Sequence, residues 1–132
     1  MHMNDICATI GIENFKCLDD ILEQHRENAQ YYDLMFKGKI ETVRPPEGSE
    51  PAYWLYTIHV KNRDELMEKL KENEIMSSKV HARNDTHSMF RDYWKILPGV
   101  EKFNDTHLCI PVGWWVTEEE REYIVNCIKE GW

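Results

Sequence analysis

Met3-Asn4-Asp5-Ile6-Cys7-Ala8-Thr9-Ile10-Gly11-Ile12-Glu13-Asn14-Phe15-Lys16-Cys17-Leu18 opens a proline-free stretch that runs on through Tyr31-Tyr32-Asp33 to Phe36. From Leu18 onward the apolar or aromatic positions are Leu18, Ile21, Leu22, His25, Ala29, Tyr32 and Met35 or Phe36. Steps of three and four residues mark one buried helical face. Lys16, Asp19, Asp20, Glu23, Glu27 and Gln30 mostly take the opposite face. The pattern predicts one helix over 3–36, ~45–50 Å long at ~1.5 Å per residue. A compact domain of this size is only ~28 Å across. The helix must therefore project, kink or have lost a partner, and Gly11 is the expected weak point, because glycine costs a helix ~1 kcal/mol relative to alanine.

Outward from that stretch, Lys37-Gly38-Lys39 supplies the basic residues and the glycine of a helix end. Residues 40–43 can form a short strand. Arg44 to Pro51 holds three prolines and a glycine and reads as a loop. Ala52 to Val60 is the clearest strand, aromatic or β-branched almost throughout. Trp54, Tyr56, Ile58 and Val60 would share one face, and Tyr53, Leu55, Thr57 and His59 the other. Asn62 with Glu65 reads as a capping box for a helix that buries Leu66, Met67 and Leu70 and ends near Asn73. Ile75 to Val80 is extended. His81 to Gly99 is a long irregular loop, of the kind that is usually functional or mobile. A strand is expected near Thr106 to Ile110. Thr117-Glu118-Glu119-Glu120 is a second capping box, opening a helix that packs through Tyr123, Ile124, Cys127 and Ile128. The expected fold class is α+β: a long N-terminal helix, a small, mainly antiparallel sheet of about three strands covered by helices, and a C-terminal helix.

The chain has 132 residues, enough for one domain or part of a larger one, and a formal charge of −8. An acidic surface without a basic stripe disfavours nucleic acid and anionic membranes as partners. No apolar run approaches a membrane span, and no signal peptide is evident. Cys7, Cys17, Cys109 and Cys127 form no CxxC pair and read as reduced, buried side chains of a cytoplasmic protein.

Few residues suggest chemistry. His81, His87, His107 and Cys109 could meet around a metal, but only His107 and Cys109 are local, so no metal site is expected. The plainer reading is an exposed His87, a partly buried His107 and a core Cys109. No serine or cysteine nucleophile motif and no phosphate loop is present. His81-Ala82-Arg83-Asn84-Asp85 joins a planar cation to adjustable hydrogen-bonding groups, as an anionic, sugar-bearing ligand requires. The competing reading, which composition favours, is a solvated loop with an internal Arg83–Asp85 or Arg83–Asp92 pair. Trp54, Trp114 and Trp115 read most simply as core and hinge packing.

Taken in order, these segments resemble the C-terminal part of the pyridoxal-phosphate-dependent nucleotide-sugar aminotransferases of the DegT/DnrJ type. Met3-Asn4-Asp5-Ile6 with Ala8-Thr9-Ile10-Gly11 is similar to that family's opening helix motif. Arg26 with Tyr32-Asp33, Tyr53 to Val60 followed by Arg63-Asp64, Ile75 with Val80-His81, and Ile110-Pro111-Val112 with Thr117-Glu118-Glu119 follow in the family's order. Glu74 stands at the family's usual glycine, and the left-handed turn is expected at Asn73 instead. His81-Ala82-Arg83-Asn84-Asp85 departs from the family's common segment.

The resemblance implies a single small domain over 1–132, with 1–36 linking to a large N-terminal domain and 37–132 forming the α/β part. It implies Met3 and Asn4 near the pyridoxal phosphate pocket, and His81, Arg83 and Asn84 along the nucleotide-sugar channel. The family's Schiff-base lysine lies in the large domain, so no catalytic residue and no bound cofactor are expected on this chain alone. A homo-oligomer is expected, because Ile6, Ile10 and Ile12 would otherwise stay exposed. The alternative is a stand-alone, non-catalytic binding or dimerisation module that keeps the small-domain fold.

Overall fold

A computed structural model describes residues 3–132. The opening stretch is two helices rather than one: α1 spans Asp5–Phe15 and α2 spans Leu18–Phe36. Asn4 caps α1, its side-chain oxygen accepting from the Cys7 amide at 2.8 Å. The break falls at Lys16 and Cys17, whose amides bond three residues back to the carbonyls of Glu13 and Asn14, and not at Gly11. Burial explains the position. α1 buries no residue, whereas α2 buries Asn28, Ala29, Tyr32 and Phe36. Packing holds α2 from Leu18 onward, and nothing holds α1 in line with it.

Three antiparallel strands form one sheet in the order β1-β2-β3: β1 Glu41–Thr42, β2 Tyr56–His59 and β3 His107–Ile110. Tyr56 pairs with Ile110 and His59 with His107, while Glu41 and Thr42 face His59 and Ile58. α3 (Arg63–Glu72), α4 (Pro98–Thr106) and α5 (Glu118–Lys129) complete the fold. One core gathers Tyr32 and Phe36 of α2, Leu66 and Leu70 of α3, and Ile124, Val125 and Ile128 of α5 against Tyr56, Ile58, Leu108 and Ile110. The expected α+β architecture stands. Among the described residues no helix is long and apolar enough to cross a membrane.

Asn28 joins these layers. Its amide donates to the carbonyls of Gly113 and Val116 at 3.1 Å each and lies 3.4 Å from that of Val112. Its oxygen accepts from Arg121 at 3.1 Å, and the Arg121 guanidinium lies 4.7 Å over the Tyr31 ring. The Thr117–Glu120 capping box forms as expected, with both hydrogen bonds present.

Several local expectations fail for identifiable reasons. β2 begins at Tyr56, because Tyr53 turns the chain with φ +47°. Trp54 therefore leaves the buried face of Tyr56, Ile58 and Val60 and is 74% exposed. Trp114 and Trp115 are likewise exposed rather than core, although the Trp115 ring covers Gly113 so closely that a Cβ there would clash with it. Asn62 sits at φ +52° and makes no cap bond to α3, so the first capping box does not form. Asn73 stays at φ −96°, and the left-handed position is Glu74 itself, at φ +59°. Pro98 starts α4 inside the region expected to be loop; proline suits the first helical turn because its missing N–H has no partner there. Cys109 and Cys127 are buried, but Cys7 and Cys17 are exposed on and beside the unpacked α1. Tyr123, expected to pack, is half exposed, and Val125, not among the residues expected to pack, lies in the core.

Candidate functional site

The segment after α3 lies along β3, bridged by Ser78 and Cys109, and delivers His81 to the side of the sheet covered by α4. His81 is exposed and lies 6.4 Å from the Phe103 ring and 6.3 Å from that of His107. Phe103 stacks on His107 at 4.5 Å and meets His59 edge-on at 5.3 Å. His59 Nδ1 lies 2.8 Å from the Thr106 hydroxyl, which itself donates to the Lys102 carbonyl, so His59 must be the donor. Burial holds the His59 imidazole below its usual value, Lys102 and His107 push the same way, and Glu41 opposes them.

His107 is only 1% exposed, more buried than expected. Its Nδ1 donates to the Phe103 carbonyl at 2.8 Å, and its sealed Nε2 has no hydrogen-bond partner among the described residues. His87 is exposed, as expected, and Cys109 is in the core. Among the described residues no group of three or more His, Cys, Asp or Glu side chains converges as a metal site.

Arg83 is 12% exposed and grips Asp85 with two bonds, from Nε at 2.9 Å and Nη2 at 2.5 Å, with Glu101 at 3.8 Å. The internal pair is therefore real, and its partner is Asp85 rather than Asp92. The guanidinium holds the Asp85 carboxyl below the usual carboxylate range. Asn84 opens a short 3-10 turn, Asn84–Thr86, and is exposed. Among the described residues the His81 and Asn84 side chains make no hydrogen bond, while the Arg83–Asp85 pair brackets Asn84 at the start of that turn.

His81 also borders a cleft of about 380 Å³, whose other walls include Arg44, Pro46, Tyr53, Trp54 and Thr57. Helix α2 sets its shape. His25 Nδ1 donates to the Tyr53 carbonyl at 3.0 Å, and Arg26 donates to the Pro51 carbonyl at 3.2 Å and faces Glu50 at 3.6 Å. These contacts hold Tyr53 in a backbone region that bulky residues rarely adopt. The sequence signal for this cleft is slight, an arginine before two prolines and an aromatic pair after a third.

Met3 and Asn4 lie at the exposed start of α1. Among the described residues no hydrogen bond or ion pair joins them to His81, Arg83 or Asn84. A pyridoxal phosphate site needs a lysine positioned over the cofactor aldehyde. Lys69, one of the few lysines drawn into the structure, is spent on the carbonyls of Cys127 and Gly131 at the end of α5. Lys16, Lys71, Lys79 and Lys102 pair with surface carboxylates.

The arrangement is a three-stranded antiparallel sheet, a packed α2 and α5, and a leading helix that buries no residue. Two solved structures share it closely. A sugar aminotransferase, CalS13 from Micromonospora echinospora, matches with a TM-score of 0.94 and 39% identity, over 98% of this chain and 36% of its own. AtS13 from Actinomadura melliaura matches with a TM-score of 0.93 and 36% identity, over 99% of this chain and 36% of its own. A GDP-perosamine synthase of Vibrio cholerae is 24% identical over 97% of this chain and 37% of its own length. The sequence profile of the DegT/DnrJ/EryC1/StrS aminotransferase family matches residues 1–129, and the chain belongs to that family. It spans just over a third of the length of these relatives.

Proposed function

We propose that this chain is the smaller, C-terminal part of a pyridoxal-phosphate-dependent aminotransferase acting on nucleotide-linked keto sugars, with GDP-linked sugars the first candidates, and that it does not transaminate alone. The observation that carries this reading is the family match across residues 1–129, in a chain that covers only about a third of its sugar-aminotransferase relatives. The large domain would supply the lysine and most cofactor contacts, with Met3 and Asn4 bordering the cofactor pocket from this side. His81 and Asn84 would line the sugar-nucleotide channel, and Arg83, clamped to Asp85, would hold Asn84 in place. The name of one relative, a GDP-perosamine synthase, suggests the nucleotide, and the exposed hydrogen-bonding groups of His81 and Asn84 fit a hydroxyl-rich ligand.

Treating the chain with pyridoxal phosphate and borohydride, then mapping adducts by mass spectrometry, tests its inactivity alone. The expected result is scattered, substoichiometric labelling of surface lysines. One lysine labelled stoichiometrically, with the absorbance of a stable internal adduct, overturns the reading.

A further inference from the structure

We propose that the cleft between the end of α3 and the start of α5 binds a small organic cation, a guanidinium or amidinium group carried on a short apolar body. The inference goes beyond the reading above and does not rest on it, since none of Met3, Asn4, His81, Arg83 and Asn84 lines this cleft. Ligand sites are concave and mostly apolar, with a few polar groups fixing orientation. This cleft of about 450 Å³ has that make-up. Its floor is the buried Ile75, Val116 and Ile124, and Met76, Trp115 and Tyr123 line it with exposed side chains. Glu74, just past α3, and Glu120, in the first turn of α5, are the only charged side chains of the lining among the described residues.

The charges select a cation and the rings select an organic one. Neither Glu74 nor Glu120 enters an ion pair among the described residues. Glu120 Oε2 accepts from the Thr117 amide at 2.9 Å, and its Oε1 makes no hydrogen bond among them. Lys71 and Arg121, on the flanking helices, are engaged by Glu68 and by Asn28 and Glu118. The first turn of α5 carries three carboxylates, which outweigh the ~0.5 positive charge of a helix N-terminus. Exposed carboxylates alone hold a cation weakly. A guanidinium or amidinium gains more here, because it sheds water readily, stacks on aromatic rings and offers carboxylates a planar fork. Met76 and Ile75 are left for the apolar body.

The walls are also preset. The Trp115 ring lies on Gly113 so closely that a Cβ there would clash with it, and His25 and Trp114 meet that ring edge-on at 6.1 and 6.0 Å. The Tyr123 hydroxyl donates to Asn73 Oδ1 at 3.2 Å, and the Asn73 amide donates to the Lys69 carbonyl at 2.8 Å, tying α5 to the end of α3. Glu74 is held at φ +59°, and backbone of that kind is retained most often where a ligand is bound.

Heteronuclear NMR of the chain at pH 7 and low salt tests this with benzamidine, its neutral isostere benzamide, and benzoate. Benzamidine is expected to shift the Trp115 indole and Glu74 amide signals and to bind about tenfold more tightly than benzamide, while benzoate shifts neither. Added salt should weaken benzamidine binding and leave benzamide binding unchanged. Glu74→Gln and Glu120→Gln are each expected to weaken benzamidine about threefold, and the double variant to bring it down to the benzamide level. Glutamine still caps α5, so these variants should keep the wild-type amide spectrum. Trp115→Ala is expected to cost about fivefold, with Trp115→Phe retaining most of the binding. No shift at Trp115 up to about 10 mM benzamidine, or equal binding of benzamidine and benzamide, overturns the assignment. Shifts confined to the acidic face of α2 around Glu23 and Glu27 overturn it as well. Trp115 signals that move with protein concentration and no probe would mean an arginine of a second copy, and would overturn the small-ligand assignment.

Discussion

Replacing Asn28 by leucine removes the polar joint between α2, the 112–116 turn and α5 while keeping side-chain volume. The side chain is 2% exposed, and its amide has two hydrogens for three nearby carbonyls. It therefore makes two good bonds at once, to Gly113 and Val116, besides the one accepted from Arg121. Each neutral bond contributes about 1 kcal/mol net, and the bond from a charged donor about 1.5–3 kcal/mol. Leucine returns part of that loss by burying more apolar surface, about 1–2 kcal/mol. The expected net destabilisation is about 2–3 kcal/mol, which in a domain of this size lowers Tm by about 10 °C. Thermal unfolding followed by circular dichroism measures it. Arg121→Met should cost less in the Asn28→Leu background than alone, because its partner is already gone. A Tm loss under about 3 °C, or additive effects of the two substitutions, would refute the reasoning.

Other perturbations give equally definite expectations. Ile6→Glu with Ile10→Glu should abolish concentration-dependent self-association in sedimentation velocity, yet shift Tm little, because neither side chain is buried. Burial raises the phenols of Tyr32 and Tyr56 above the ordinary value of 10.0, and the Asp33 carboxylate adds to the rise at Tyr56. The stability they contribute is complete below that value and is lost as pH climbs toward the raised folded values. Urea unfolding at rising alkaline pH should show the decline, and Tyr56→Phe should reduce it. Glu74→Gly should relieve the left-handed φ of +59° and raise stability by about 0.5–1 kcal/mol in denaturant titration.

Much of the fold is legible in local pattern. Leu18 to Phe36 shows its buried face through spacing, Thr117 and Glu120 announce α5, and Tyr56, Ile58 and Val60 alternate as a half-buried strand. The misreadings arise where distant partners decide. The break at Lys16–Cys17 depends on what α1 packs against, which its own residues do not show. Asn28 interrupts an apolar face, and its acceptors lie 84–88 residues further along the chain. Trp54, Trp114 and Trp115 read as core because large rings usually are, yet the turn at Tyr53 and the loop at Gly113 carry them to the surface. Pro98 and Gly99 fall at the end of the stretch read as a loop, yet they begin α4. At the candidate site, His81, Arg83 and Asn84 stand out by residue type and by resemblance, and Asp85 is a visible partner for Arg83. The Arg44–Trp54 cleft is invisible until the start of β2 is known.

The claim that this chain completes a sugar aminotransferase is tested most directly by a chimera. Residues 1–132 would replace the corresponding C-terminal third of a CalS13-type aminotransferase, and amino transfer to a nucleotide-linked keto sugar would be followed by mass spectrometry of the product. The account predicts an active chimera whose turnover falls on His81→Ala. A folded chimera that holds pyridoxal phosphate yet leaves every nucleotide-linked keto sugar unconverted would contradict it.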